Sequence, residues 1–184
     1  MLFRSQSVWA LSGGARYGWS TKQVGLSLGL VGLSMAVVQG GLVRVLMRRF
    51  TERQLVTAGL SIGALGFVAL GLADRGWLAY ALIGLFALGG IAGPSMQALL
   101  TRAVGEDEQG ELQGSLASVQ SLMSILGPLV GTGLIARFGP HDASPHVPGA
   151  PFFAAAALNV LGLALALRMF AASPERRAIK PATP

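Results

Sequence analysis

Long apolar stretches alternate with short polar breaks along most of the 184 residues of this chain. A bilayer core needs about 20 mostly apolar residues per helix. The stretches that meet this length run Val24–Leu46, Leu55–Ala73, Trp77–Thr101, Leu112–Ala136 and Gly149–Phe170. The breaks between them are short, so neighbouring helices must run antiparallel. The pattern predicts an all-α fold, a polytopic transmembrane helix bundle.

The two ends of the chain fall outside these stretches. Residues 1–23 contain one apolar run, Val8–Leu11, which is far too short to cross a bilayer. We expect residues 1–23 to be the remnant of a preceding helix with an extracytoplasmic loop. Residues 24–170 should form the five-helix transmembrane bundle. Residues 171–184 hold three prolines among charges and are predicted to be a disordered cytoplasmic tail.

The composition agrees with lipid as the main solvent of the chain. Apolar residues make up 52% of it and charged residues 12%, whereas soluble domains have about 25% charged residues. The net charge of +6 raises the alternative of a nucleic-acid partner. The basic residues, however, stand at the ends of the apolar stretches and form no single face. Membrane topology explains them, and we predict no nucleic-acid partner.

The distribution of Lys and Arg predicts the orientation of the bundle. One side receives Arg44, Arg48, Arg49, Arg53, Arg102, Arg168, Arg176, Arg177 and Lys180. The other side receives Arg4, Arg16, Lys22, Arg75 and Arg137. The side richer in basic residues is cytoplasmic by the positive-inside rule. The C-terminus is therefore expected in the cytoplasm.

Small residues recur at the spacing of one helix face in four of the predicted spans. The pairs are Gly25 with Gly29, Gly59 with Gly63, Gly89 with Gly93, and Gly127 with Gly131. Helices in lipid associate by close backbone approach, so we expect these pairs to line seams between helices. Pro94 and Pro128 lie inside spans, where each removes a backbone hydrogen bond. Each proline could produce either a bend used in conformational change or a static kink, and the sequence leaves both roles open.

No Asp, Glu, Lys, Arg or His falls at the centre of a predicted span. The polar groups at depth that are most costly without a partner are amides, those of Gln39, Gln97, Gln120 and Asn159. Two roles are open for each of them, an interhelical hydrogen bond or a place in the lining of a substrate cavity. These four are the cavity candidates.

Catalytic and metal chemistry have few residues to draw on. The chain has no cysteine, and its two histidines, His141 and His146, lie in a proline-containing loop with Asp142. The acidic cluster Glu106–Glu108 has no nucleophile or base near it. We therefore predict no enzyme activity, no cofactor and no metal site.

Motifs in three parts of the chain point to a known family. They are Glu108–Gly114 followed by Ser118, Ser121 and Ile125–Thr132, then Gly89–Ala98, and Tyr17–Ser20 with Val24–Leu28. Together they resemble the drug–proton antiporters of the major facilitator superfamily, and specifically the tetracycline-exporter branch. The resemblance covers Trp9 to Phe170. The combination is specific, whereas its individual Gly-Pro pieces are not.

The resemblance implies a transporter of two six-helix halves that rock around a central cavity, with this chain as the C-terminal half. It implies proton-coupled efflux of a small amphipathic, drug-like molecule, tetracycline-like or multidrug, across a bacterial inner membrane. The principal proton-coupling acids would then lie in a missing N-terminal half.

The resemblance also suggests roles for two groups of residues. Pro94, with Gly127, Pro128 and Gly131, corresponds to helix-bending motifs of the family. The basic segment between the first two spans looks like a degenerate copy of its cytoplasmic loop. That segment supplies the candidates for a cytoplasmic gate, Arg44, Arg48, Arg49 and Arg53.

The chain departs from the family at two positions. Met35 and Gly63 stand where tetracycline exporters carry a histidine and an aspartate, whereas Gln39 matches a cavity glutamine of that branch. The departures favour a drug-exporter-like transporter over tetracycline itself. The alternative is a truncated or non-transporting membrane protein that acts only by pairing with another half. Lipid, the missing half or a second copy would then cover the exposed seam.

Overall fold

The computed structural model describes residues 6–139 and 146–172. Its helices are α1 (Gln6–Tyr17), α2 (Thr21–Val37), α3 (Val43–Arg49), α4 (Glu52–Leu72), α5 (Gly76–Gly89), α6 (Ala92–Ala103), α7 (Gln109–Phe138) and α8 (Ala150–Ala172). A π-helical segment, Val38–Leu42, joins α2 to α3, and a 3₁₀ turn, Glu106–Glu108, precedes α7. The described ranges contain no strand, and the predicted all-α fold is confirmed.

Within residues 6–139 and 146–172, five helices are long and apolar enough to cross a membrane. They are Thr21–Arg49, Glu52–Leu72, Gly76–Ala103, Glu106–Phe138 and Ala150–Ala172. Each predicted span overlaps one of these candidate helices. The predicted tail begins inside α8, which continues to Ala172, and the rest of that tail lies outside the described residues.

Local sequence determines where two of these helices begin. Ser20 accepts a hydrogen bond from the backbone N–H of Gln23, whose side chain bonds back to the Ser20 backbone. Thr51 and Gln54 form the same reciprocal pair at the start of α4. Such capping boxes satisfy backbone donors that a helix start leaves free. Just before the first box, Gly18 turns the chain with a φ of 63°, a conformation that glycine adopts without steric cost.

Helix α4 lies at the centre of the bundle and packs against α5, α6 and α8. Its glycines permit close approach: a Cβ on Gly59 would stand 2.6 Å from the backbone nitrogen of Ala92. A Cβ on Gly89 would stand 2.9 Å from the Cα of Gly63. At these positions the expected small-residue seams are present, because backbone meets backbone.

The other predicted seam residues lie at the margins of the bundle. Gly25, Gly29, Gly93 and Gly127 have no atom within 4 Å of where a Cβ would stand. For these four the prediction of a seam within this chain is wrong. Gly25, Gly29 and Gly127 lie on the peripheral helices α2 and α7, and Gly93 is at an exposed position of α6. In α7, Gly131 is the one residue that is fully buried among those described.

Two of the five candidate spans are irregular near their middle. Thr21–Arg49 contains the π segment, and Gly76–Ala103 is interrupted between α5 and α6. The interruption between α5 and α6 consists of Gly90 and Ile91, and Gly90 stands four residues before Pro94. Since Pro94 has no N–H, the Gly90 carbonyl lacks its usual donor four residues on. Pro128, in contrast, lies inside α7, which runs without interruption from Gln109 to Phe138.

Candidate functional site

The four candidate amides divide between the margin and the interior of the bundle. Gln39, in the π segment, and Gln120, on α7, are exposed. Gln97, on α6, and Asn159, on α8, are half-buried. None of the four amide side chains is hydrogen-bonded to another one within the described part of the chain. They do not converge on one closed pocket.

Asn159 belongs to the packing between α8 and α4. Its Nδ2 donates to the carbonyl of Ala155 at 3.0 Å, one turn back in its own helix. Its Oδ1 stands 3.0 Å from where a Cβ on Gly63 would be. The side chain fills the space that Gly63 leaves open, while the hydrogen bond that it donates stays within α8, so Asn159 meets α4 by packing.

The margin of α2 presents a flat stripe of small residues. Gly25, Gly29 and Gly32, with Gly40 of the adjoining π segment, are exposed and have no atom within 4 Å of an added Cβ. Larger apolar residues, such as Leu26 and Leu33, flank the stripe and are exposed as well. Lipid tolerates exposed leucine, but small-residue stripes in membranes are typical of helix contact.

Helix α7 presents a second open surface, which is more polar. Its exposed polar side chains are Gln113, Ser115, Ser118, Gln120, Ser121 and, half-exposed, Ser124. The hydroxyl of Ser118 donates to the Gly114 carbonyl at 2.9 Å, which leaves the Gln120 amide as the stronger free hydrogen-bonding group. Amides at membrane depth face water or protein in preference to lipid. We use the name α2/α7 surface for two exposed faces together, that of α2 with the adjoining π segment, which includes Gln39, and this polar face of α7.

Helix α1 lies between these two marginal helices. It packs against both α2 and α7, and the indole N–H of Trp9 donates to the buried Ser27 hydroxyl of α2 at 2.9 Å. The hydroxyl of Ser12, buried on α1, has no hydrogen-bond partner. The segment that the sequence marks as a remnant is thus a packed part of the described bundle.

One end of the bundle is held together by an aromatic cluster around Trp19. Trp19 lies 4.9 Å from Tyr80 and 5.1 Å from Tyr17 between ring centroids. Trp9 joins the cluster at 6.0 Å from Trp19, and Phe152 of α8 follows at 6.2 Å from Trp9. We call this the Trp19 end. Aromatic rings of this kind concentrate at the interfaces of membranes with water.

Arg16 fastens α1 to the end of α4 beside this cluster. Its guanidinium donates to the carbonyls of Leu70 at 3.1 Å and Gly71 at 2.7 Å, which are carbonyls that a helix end leaves free. It also reaches Asp74 at 3.4 Å. A cation is favoured at a helix C-terminus by the helix dipole. Nine-tenths of the Arg16 side chain is buried, whereas Asp74 is 91% exposed.

Tyr17 adds a second contact to the same helix end. Its hydroxyl donates to the Ala73 carbonyl at 2.8 Å. Burial raises the pKa of this hydroxyl, an effect that Arg16 opposes and Asp74 reinforces. The neutral phenol is therefore favoured, and it is the form that can donate this bond.

The opposite end, which we call the Arg53 end, contains the four gate candidates. Arg44, Arg48 and Arg49 are exposed. Arg53 is half-buried: its guanidinium donates to the Phe170 carbonyl at 3.4 Å and lies 5.3 Å from the centroid of that ring. The four arginines therefore do not act as one cluster, because Arg53 joins α4 to α8 and the others face outward.

An ion pair crosses the Arg53 end between two connections. Arg102, at the end of α6, lies 2.6 Å from Glu52, at the start of α4. Nothing in the sequence identified this pair or the Arg16 contacts, which join residues more than 50 positions apart. An arginine beside Tyr17 and Trp19 was the available signal for an interfacial cluster.

The described residues contain no group of three His, Cys, Asp or Glu side chains suited to a metal ion. Of the histidine loop, His141 and Asp142 lie outside the described residues. The chemistry that the described spans offer is therefore hydrogen bonding by amides and hydroxyls on an otherwise apolar surface.

Comparison with known proteins gives a family match over nearly the whole chain. A family model described as Major Facilitator Superfamily matches residues 6–184. The class C tetracycline resistance protein of Escherichia coli is 44% identical over 130 residues, covering 71% of this chain and 33% of the relative. The class G protein of Vibrio anguillarum is 38% identical over 128 residues, covering 70% and 33%.

A relative with a different printed name is also similar. The multidrug resistance protein MdtH of Sodalis glossinidius is 31% identical over 122 residues, covering 64% of this chain and 29% of the relative. The chain spans about a third of the length of the curated relatives it matches.

Proposed function

Because the chain belongs to the major facilitator superfamily, we propose that it forms part of a proton-coupled exporter of small amphipathic molecules, tetracycline-like or multidrug. Membership agrees with the five spans and with the resemblance to tetracycline exporters. The observation that carries the proposal is the similarity to relatives named for tetracycline and multidrug resistance. A transporter family also agrees with the expectation that the chain is not an enzyme.

The α2/α7 surface is the part of the chain suited to line the substrate path. Its exposed amides, Gln39 and Gln120, stand among apolar side chains. This combination suits an amphipathic molecule, because apolar surfaces take up its body and a few polar groups orient it. Gln97 and Asn159, which are half-buried, support the helices behind this surface.

The middle parts of the described spans contain no carboxylate or histidine that could carry the proton. The carboxylates of the described residues lie at helix ends or in connections, in Glu52, Asp74, Glu106, Asp107, Glu108 and Glu111. We therefore assign the proton-carrying acid to a partner that covers the α2/α7 surface. An N-terminal half would supply it. A second copy of the chain could cover the surface but carries its carboxylates at the same helix ends, and lipid would cover the remaining faces.

The Arg53 end is proposed to face the cytoplasm of a bacterium, with the chain in the inner membrane and its C-terminus inside. The greater number of basic residues at that end supports this orientation. Arg44, Arg48 and Arg49 would then reach across to the partner as gate residues. Arg53 would instead keep α4 and α8 together.

The proposed path is tested by binding of tetracycline to the purified chain in nanodiscs, followed by ligand fluorescence. Replacing Gln39 or Gln120 by Ala should raise Kd about tenfold, because each loses roughly one hydrogen bond to the ligand. Leu165→Ala is the control, since it shortens an exposed side chain on α8, which is not part of the α2/α7 surface. Equal Kd values for all three variants would contradict the assignment.

The alternative function, a non-transporting protein that acts only by pairing, is favoured by one observation. No ionisable residue stands at the middle of a described span, and such residues usually mark ion and proton routes in membranes. Gradient-driven tetracycline movement by the chain alone would exclude this alternative. Tetracycline binding with no movement even when an N-terminal half is supplied would support it.

A further inference from the structure

The two irregular spans touch each other at their irregular points. Val38 and Val43, at the two ends of the π turn, share a buried cluster with Ala87, just before the interruption between α5 and α6, and with Ile91, which belongs to that interruption. Regular helices could pack in many registers. Here the π segment of Thr21–Arg49 lies against the interruption of Gly76–Ala103.

Each irregularity gives its helix local freedom. In the π segment the N–H of Val43 donates to the carbonyl of Val38, five residues back. At the interruption, Gly90 and Ile91 donate to carbonyls three residues back, those of Ala87 and Leu88. Mid-helix changes between five-, four- and three-residue bonding mark hinges and functional sites.

Glycine adds to this freedom on the π side. Gly40 and Gly41 have no atom within 4 Å of an added Cβ, so neighbouring side chains do not fix their backbone. Glycine explores more backbone conformations than any other residue. The π segment is therefore the softest point of a helix that is otherwise continuous from Thr21 to Arg49.

Met35 connects the two irregular points. Its Sδ would stand 3.0 Å, and its Cε 3.3 Å, from a Cβ on Gly90, so the side chain occupies the notch that this glycine leaves. The amide of Gln39 donates to the same sulfur at 3.6 Å. An unbranched thioether adapts its shape while keeping contact, so a movement of the π segment reaches the interruption through this side chain.

We propose that the π segment and the α5–α6 interruption form one paired hinge, in which Met35 over Gly90 makes the two spans bend together. The hinge goes beyond the proposed function because it concerns motion within the bundle, with or without a transported molecule. It gives Gln39, on the α2/α7 surface, a mechanical connection to a second span. Met35 acts in it as a positioning residue.

The hinge is tested by distances between spin labels in nanodiscs, since the chain has no cysteine of its own. One pair, Leu26→Cys with Val45→Cys, flanks the π segment, and both positions are exposed. The other pair, Leu85→Cys with Ala103→Cys, flanks the interruption at exposed positions. Helical rise places each pair roughly 27 to 29 Å apart, within the range of pulsed dipolar spectroscopy.

The decisive variant carries Gly40→Ala and Gly41→Ala, which stiffen the π segment without a clash. A paired hinge predicts narrower distance distributions for both label pairs. The matched control carries Gly29→Ala and Gly32→Ala, two open glycines in the regular part of α2, and should leave the second pair unchanged. An unchanged distribution across the interruption in the Gly40 and Gly41 variant would overturn the proposal.

Two further variants test the role of Met35 and the direction of coupling. With Met35→Ala in the same background, narrowing should persist across the π segment and disappear across the interruption. Pro94→Ala, which restores the missing donor, should narrow both distributions, because coupling between two sites is reciprocal. Two outcomes would contradict the hinge. One is narrowing across the interruption that persists when Met35 is replaced by Ala, and the other is a Pro94→Ala variant that narrows the distance distribution only across its own span.

Discussion

The backbone of Gly89 lies directly against the backbone of Gly63: a Cβ on Gly89 would stand 2.9 Å from the Cα and 3.0 Å from the nitrogen of Gly63. The contact joins α5 to the central helix α4. Because both partners are backbone atoms, no side chain can rotate away to make room. Close approach of this kind is the main source of helix association in lipid.

Gly89→Ala should therefore destabilise the bundle by about 1–3 kcal/mol, the usual cost of overpacking a close contact. Thermal unfolding of the purified chain in detergent measures the loss. Gly93→Ala is the matched control, because it is the other glycine of the same sequence pair and has open space around it. If Gly93→Ala lowers stability as much as Gly89→Ala, the assigned seam is wrong.

Arg16 should contribute far more to stability than its ion pair suggests. Arg16→Ala leaves the Leu70 and Gly71 carbonyls without their donors, and buried acceptors that lose their partner cost about 1–3 kcal/mol. Asp74→Asn removes only the exposed ion pair, which is worth about 1 kcal/mol or less. The same unfolding assay compares the two variants. Equal losses would show that the ion pair, and not the capping of α4, fastens α1.

Tyr17 should make the Trp19 end sensitive to alkali. The raised pKa of its hydroxyl in the folded chain means that the unfolded chain loses this proton first, near pH 10. Stability is thus fully retained below about pH 10 and declines as the pH rises through the folded pKa. Unfolding measured from pH 8 to pH 11 should show this decline, and Tyr17→Phe should reduce it. An identical decline in Tyr17→Phe would assign the effect to other groups.

The orientation can be tested with single cysteines and a membrane-impermeant maleimide on intact cells. Asp74→Cys, at the Trp19 end, should be labelled, whereas Asp107→Cys, between α6 and α7, should be labelled only after permeabilisation. Both positions are exposed, and neither change alters the number of Lys and Arg that sets topology. The opposite labelling pattern would reverse the proposed orientation.

The helical architecture could be predicted from the sequence because apolar length alone determines which segments can cross a bilayer. The location of the seams could be predicted only in part. Gly59 and Gly63 have the same spacing as Gly25 and Gly29, yet only the first pair lies on the central helix. Spacing identifies a helix face that permits close approach, whereas the neighbour on that face depends on tertiary arrangement.

The contacts at the bundle ends could not be predicted for a related reason. Arg16 meets carbonyls of Leu70 and Gly71, and backbone carbonyls carry no signal in the sequence. The π segment has no sequence rule either, although Gly40 and Gly41 mark a soft point. The candidate amides could be chosen from the sequence as polar groups within apolar stretches. Their exposure could not, because the exposure that separates Gln39 and Gln120 from Asn159 depends on packing.

Movement of a substrate under a proton gradient tests the central claim most directly. Everted membrane vesicles that contain the chain together with a separately expressed N-terminal half of the class C tetracycline resistance protein, added to supply the acid that these spans lack, are energised, and tetracycline uptake is measured with and without a protonophore. The account predicts uptake above that of vesicles lacking the chain, abolished by the protonophore. Uptake equal to that of vesicles lacking the chain, with the chain present and folded, would contradict its proposed part in proton-coupled export.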